Sequence, residues 1–300
     1  MKCLHCGLEH LDNCKVCPMT GKVIEREMLS FDVDGVKFNM IKVEGGSFNM
    51  GSDEENAFNN ERPLHTVRLT SDYHIGETQV TQALWEKVMG TTVSQQRDKE
   101  RDKVGNDDLL FGVGDNYPMY YVSWEECQHF IIRLNSKLKG QLGGKRFALP
   151  TEAQWEFAAR GGNGSMGYTY SGSNDIDEVA WYRVNTDYEA KAVAMLKPNE
   201  LGIYDMSGNV WEWCQDRHDY GYPSSPQTNP TGSSSGSYRV LRGGSWNRSP
   251  FCSRVCHRNC RLQTDRNYCF GFRLAIITPN FRQLVQTKFQ KIISITGHRG

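Results

Sequence analysis

The stretch Gly202-Ile-Tyr-Asp-Met-Ser-Gly-Asn-Val-Trp-Glu-Trp213 combines turn-forming Gly, Asp, Ser and Asn with two tryptophans around a glutamate. The remaining tryptophans, at 85, 124, 155, 181 and 246, lie in or beside short motifs of the same kind. Large aromatics at such places suit a core that must cement loops together rather than join stacked layers. Trp211-Glu-Trp213 is therefore read as core.

Outward from this stretch the chain remains loop-rich from Gly161 onward, with Gly, Ser, Asn, Asp and Pro clusters, and no internal repeat is visible. Regular structure is expected upstream. Alternating residues give strands over Phe31 to Val33 and Val36 to Val43, joined by an Asp34-Gly35 hairpin signal, and again over His65-Thr-Val-Arg-Leu. Capping boxes at Ser123-Trp-Glu-Glu126 and Thr151-Glu-Ala-Gln154 open two short, half-buried helices. The polar run from Thr91 to Asn116, with its apolar tip Leu109-Leu-Phe111, reads as an insertion, and Ser233 to Ser237 as a flexible loop.

At 300 residues the chain can bury one substantial core and a small appendage. Lys+Arg and Asp+Glu both number 35, so no broad field exists to hold a phosphate backbone or an anionic membrane, and nucleic acid is excluded as the main partner. No apolar run reaches the roughly 18 residues a bilayer demands, and Met-Lys-Cys-Leu-His-Cys lacks the marks of a signal peptide. A cytoplasmic or particle-associated protein is expected.

The ten cysteines fall into separate groups. Cys3-Leu-His-Cys6 and Cys14-Lys-Val-Cys17 are two C-x2-C knuckles at the spacing of one tetrahedral zinc, in a segment too short to fold on its own core. Residues 1–25 are thus expected to form a zinc-ribbon-like module. A redox dithiol or an iron site are the alternatives, and His5 or His10 could replace one cysteine. At the other end, residues 276–300 carry an amphipathic pattern through Phe281, Leu284, Val285, Phe289, Ile292 and Ile293 that could pack on the domain or support an oligomer.

Several motifs in order resemble the formylglycine-generating-enzyme, or sulfatase-modifying factor, family. They are Gly45-Gly-Ser-Phe-Asn-Met-Gly51, Glu61-Arg-Pro-Leu-His65, Gly76-Glu-Thr-Gln-Val-Thr81, Val122-Ser-Trp124, Leu149-Pro-Thr-Glu-Ala-Gln-Trp-Glu156, the opening stretch, Arg242-Gly-Gly-Ser-Trp246 and Gly271-Phe-Arg273. The resemblance covers about residues 38 to 275. It implies an α+β, C-type lectin-like domain, loop-rich, over residues 26–275. It also implies a calcium site on Asp205, Glu212 and the backbone oxygens of Gly208 and Val210, a hard-oxygen set suited to that ion. Asp205 capping its turn and Glu212 pairing with an arginine are the competing readings. The family's other calcium site has no match around Val179 and Ala180.

The family's oxidases use two cysteines five positions apart to bind copper. Aligned from Gly243, those positions hold Arg248 and Ser253, with Cys252 one residue out of register, and neither guanidinium nor hydroxyl replaces a thiolate on copper(I). A non-catalytic protein is expected. In non-catalytic relatives the segment before Gly-Phe-Arg carries a scaffold of arginines, which Arg254, Arg258 and Arg266 resemble. Between them the segment 247–270 is chemically mixed and looks like the variable protein of a diversity-generating retroelement. There, randomised adenines turn asparagine codons into pyrimidine-ending codons, which never encode Lys, Glu, Gln, Met or Trp. Within the segment those five types occur once, at Gln263. Arg248, Ser249, Phe251, Cys252, Cys256, His257, Cys260, Leu262, Asp265, Tyr268 and Cys269 are expected to display a surface for a macromolecular ligand, with a protein favoured. Val255 and Phe270 are expected in the core. The runner-up is a family enzyme of other metal chemistry, and a third reading is an undiversified structural or signalling relative.

Overall fold

The computed structural model describes residues 27–100 and 109–278. Cys3, Cys6, Cys14 and Cys17, and the amphipathic pattern from Phe281 to Ile293, lie outside the described residues.

Among the described residues four sheets and four α-helices are stitched by long loops. Strands β1 (Met28–Val33), β2 (Val36–Val43), β5 (Tyr73–Gly76), β6 (Arg146–Ala148) and β14 (Ala275–Ile277) form an antiparallel sheet in the order β1-β2-β5-β14-β6. The hairpin turns at Asp34-Gly35, as the sequence predicts. Ala275 pairs with both Ile75 and Ala148, and Ile276 with His74 and Phe147, so the domain runs past the expected end at 275. A second sheet joins β3 (Gly46–Met50), β4 (His65–Leu69) and β10 (Gln227–Thr228). A third, β9 (Trp211–Arg217), β11 (Tyr238–Arg242), β12 (Arg258–Leu262) and β13 (Phe270–Gly271), has the order β12-β11-β9-β13. Strands β7 (Ala180–Trp181) and β8 (Ser207–Gly208) pair parallel. At Gly208 φ is +82°, and a Cβ would strike the Trp181 carbonyl, so only glycine lets the two strands lie this close.

Helices α1 (Gln82–Met89) and α2 (Val93–Asp98) start at Thr81 and Thr92, each side chain accepting a backbone N–H three residues on. Helices α3 (Trp124–Lys137) and α4 (Glu152–Ala159) start at the two predicted capping boxes, both complete. Within the polar run from Thr91, Thr92 and Gln95 close a capping box that opens α2. Of its apolar tip, Leu109 is exposed while Phe111 packs inward, its ring 5.0 Å from those of both Trp246 and Tyr268.

Two clusters make the core. One lies between the five-stranded sheet and α1 and α3, where Trp85 stacks on Phe130 at 5.5 Å and Phe272 meets both edge-on. The other wraps α4, with Trp155, Phe157, Val240 and Val255 buried together. The tryptophans at 85, 155, 211, 213 and 246 are all buried, as the motif reading requires. Truncating Phe130 removes the ring that joins α3 to Trp85 and Phe272, so Phe130→Ala is expected to lower stability by about 3–5 kcal/mol in urea denaturation. An unchanged midpoint would exclude the stacked cluster.

Candidate functional site

The segment 247–270 begins at a tight corner. Gly244 adopts φ +76°, and a Cβ there would sit 2.7 Å from the Cys252 carbonyl, so the chain doubles back directly over the Gly-Gly turn. A 3-10 turn at Pro250–Ser253 follows, and β12 then carries the segment along the sheet edge.

Three of its arginines, Arg254, Arg258 and Arg266, each reach a carboxylate from a distant loop or helix. Arg254 grips Glu61 with one Nη2 at 2.9 and 3.0 Å, while Arg258 grips Glu152 through Nε at 2.8 Å and Nη2 at 2.6 Å. Arg266 donates to Glu126 at 2.8 Å. Beneath them Arg242, fully buried, pairs with Glu156 and lies 3.4 Å from Glu152. Breaking one partner of such a buried pair strands the other, at a cost of about 3–5 kcal/mol. These pairs therefore fix the backbone of the segment. Val255 and Phe270 are buried, as expected.

The eleven candidate side chains divide by exposure. Arg248, Ser249 and Leu262 are exposed, and Phe251, Cys252, Cys260, Asp265 and Tyr268 are half-buried. Cys256, His257 and Cys269 are buried, which corrects the expectation that they belong to the displayed set. The reasons are local. His257 Nδ1 lies 2.7 Å from Glu61, its ring is tilted against Phe58, Phe251 and Trp211, and Cys256 Sγ accepts from Arg254 Nη1 at 3.2 Å. Cys269 donates to Asn267 Oδ1 beneath the sheet. Burial pushes the His257 imidazole below its usual pKa despite Glu61. Burial likewise opposes ionisation of Glu61, but the His257 hydrogen bond and Arg254 overcome it and hold the carboxyl below its usual value.

Residues outside the segment complete the surface. Phe58, half exposed, meets Phe251 edge-on at 4.9 Å, while Arg254 lies 3.7 Å over the Phe251 ring. A cleft opens beside them, lined by Phe58, Asn59, Tyr220, His257 and Asn259. On the far side Asn247 donates to the Tyr268 hydroxyl at 3.2 Å, and the Arg248 carbonyl accepts from Arg183. Phe58 and Tyr220 were not found from sequence, since each lies in a separate loop and only the fold brings it beside the segment.

The donor sets for metal are poor. All six described cysteines are free thiols, and burial raises every one: Cys252 and Cys260 above the usual value, Cys256 to about 11, Cys269 to about 12, Cys127 and Cys214 well above. Arg248 stands exposed at the first oxidase position, and Ser253 is buried at the second. The calcium set does not fit either. Glu212 accepts from Gln79 Nε2 and Arg273 Nη2 on one oxygen and from Trp155 Nε1 and Arg273 Nε on the other, which uses a carboxylate's four lone-pair sites. Asp205 accepts from the Ala194 N–H, and burial raises its carboxyl to about 6. Among the described residues no group of three or more His, Cys, Asp or Glu side chains is arranged to hold a metal ion. Nor is any described helix long and apolar enough to cross a membrane.

Fold, motifs and site together define the class: the chain belongs to the family of the sulfatase-modifying factor enzyme 1-like domain, whose pattern matches residues 32–277. Its structure is similar to that of Treponema denticola variable protein 1, at 31% identity and a TM-score of 0.70, covering 83% of this chain and 98% of that one. The chaperone protein LppX of Paenibacillus barcinonensis is 34% identical over 240 residues, which are 70% of this chain and 79% of LppX. The formylglycine-generating enzyme of Streptomyces coelicolor is 29% identical over 291 residues, 78% of this chain and 88% of the enzyme. Serine/threonine-protein kinase pkn1 of Chlamydia pneumoniae is 29% identical over 86% of this chain, which spans only 41% of the kinase.

The pairing of Glu61 makes the domain acid-sensitive. Glu61 with a lowered folded pKa contributes stability above the ordinary value of 4.5 and loses it as pH falls through the folded value. His257 has the same sign, since below 6.5 the unfolded chain takes a proton that the buried ring refuses. Glu61→Gln is expected to cost about 3–5 kcal/mol at neutral pH. Its unfolding midpoint should also fall less steeply below pH 4.5 than the wild type's; parallel curves in urea titrations at several pH values would rule out this pairing.

Proposed function

We propose that this protein is a non-catalytic binding module, a variable protein of a diversity-generating retroelement, which presents residues of the segment 248–268 to a protein ligand. One observation carries the reading. Arg254 and Arg258 are buried on Glu61 and Glu152, and the half-buried Arg266 is tied to Glu126, while Arg248, Ser249, Phe251, Leu262, Asp265 and Tyr268 face outward wholly or in part. Backbone position is thereby independent of what is displayed. Arginine and aromatic side chains held on a rigid frame supply the largest contributions at protein interfaces, and a preordered surface loses little freedom on binding.

Three further points support it. The fold is similar to that of a variable protein. Lys, Glu, Gln, Met and Trp occur in the segment only at Gln263, which bonds Glu125 and Arg239 and so has a framework role. Among the described residues the half-exposed Cys252 and Cys260 are free thiols and belong to no group of three metal-ligating side chains. The oxidase reading draws on the likeness to the formylglycine-generating enzyme, but Arg248 and Ser253 replace its cysteines.

The test is tolerance. Arg248, Ser249, Leu262 and Asp265 replaced together by other pyrimidine-codon residues should leave Tm within about 3 °C of wild type, because exposed substitutions stay near ±0.5 kcal/mol. Arg258→Ser should instead lower it by about 6 °C or more. Equal loss in both variants would sink the display reading. Oxygen- and copper-dependent oxidation of a cysteine peptide, abolished by Cys252→Ser, would establish the oxidase in its place.

A further inference from the structure

Two of the oxygens that the family resemblance assigns to calcium, the Val210 carbonyl and Glu212 Oε1, face an amide in this chain, joined there by the backbone carbonyl of Asp205. The Asp205 carbonyl, the Val210 carbonyl and Glu212 Oε1 converge on Gln79 Nε2 at 3.3, 3.0 and 2.9 Å. Gln79 is 1% exposed, and its backbone is held between the Leu274 carbonyl, bonded by Gly76 N–H, and the Phe272 carbonyl, bonded by Val80 N–H. The orientation of the amide follows from the chemistry. Its oxygen turned inward would confront three lone-pair-bearing oxygens, whereas its NH2 offers them two hydrogens. The remaining carbonyl, Gln79 Oε1, is buried with no partner, so the side chain adopts this orientation at the expense of its own acceptor. Beside it Arg273 supplies the positive charge: Nε and Nη2 hold Glu212, while Nη1 and Nη2 take the Gly76 and Tyr204 carbonyls.

We propose that the Gln79 amide and the Arg273 guanidinium together replace a divalent cation in this domain. The amide occupies the point where the oxygens converge, and the guanidinium neutralises Glu212. An ion would have to displace the amide, and it would meet the charge of Arg273 at short range. The domain therefore folds without calcium, and its dependence on the metal is set by the single residue at position 79.

The experiment uses the full chain, freed of calcium by passage over a chelating resin, and reads Tm and titration heat as calcium chloride is added to millimolar concentration. Wild type is expected to show no binding heat and no change in Tm. Gln79→Glu places a second carboxylate, beside that of Glu212, at the convergence point. It is expected to melt about 5 °C or more below wild type in calcium-free buffer and to regain most of that loss with calcium. Calcium-dependent stabilisation of wild type would overturn the proposal, as would a Gln79→Glu variant equal to wild type without the metal. If Gln79→Glu does not accumulate as folded protein, Gln79→Met decides. It keeps the side chain's length but removes both donors, so a lowered Tm supports the proposal and an unchanged one refutes it.

Discussion

A loop-rich domain has a shortage that a helical or sheet domain does not: many backbone carbonyls enter the interior without a ladder partner. In this chain buried guanidinium groups supply the missing donors. Arg273 takes the Gly76 and Tyr204 carbonyls, Arg258 those of Asn60 and Asp219, Arg242 that of His257, Arg254 that of Phe251, and Arg160 that of Gly51. Each of these five charges is answered by a glutamate: Glu212, Glu152, Glu156 or Glu61. Guanidinium suits the task because it presents five donors in one plane, enough to hold a carboxylate and still reach a carbonyl. Trp155, Trp211 and Trp213 then fill the space between these fixed points.

Buried ion pairs of this kind are weak sources of net stability, since desolvation consumes most of the Coulomb gain. Their effect is selective. A loop laid down in another register would leave both a carboxylate and a guanidinium unpaired in the interior, a far larger penalty than the loss of an apolar contact. Loops that have no ladder to register them are thereby given one conformation. The same economy of donors is visible at Gln79, where an amide serves three oxygens while its own acceptor goes unpaired.

The parts of this organisation that depend on neighbours in sequence are legible there, and those that depend on distant partners are not. The boxes at Ser123 and Thr151 open α3 and α4 because capping is complete within four residues. The box at Thr92 works identically, but it lies in a polar run whose pattern suggests an insertion, and α2 was missed. Arg254, Arg258 and Arg266 stand out as a framework by motif alone. Their glutamates do not, and this explains the error at His257 and Cys256: both look displayable in a mixed polar segment, and both are drawn inside by Glu61, 196 positions from His257 in the chain. Glu212 shows the converse. Motif resemblance gives it to calcium, whereas Arg273, 61 positions on, claims it.

The spacing of the framework explains how much freedom remains between its members. Arg254 and Arg258 fix the inner turn and the start of β12, Arg266 ties the following loop to Glu126 on α3, and Phe270 enters the sheet beside Trp211. Backbone bonds from Tyr121 N–H to the Asn267 carbonyl and from Gln263 N–H to the Ser237 carbonyl close the intervals. With the chain held at so many points, a side chain at 248, 249, 262 or 265 answers no buried charge, Asp265 contributing an exposed bond from the Leu262 N–H. Its replacement alters the chemistry offered to the outside while the frame stays as it is, whereas a change at 254 or 258 alters the frame itself. Exposure alone does not divide the segment into these two classes. The division follows from whether a side chain answers a buried charge.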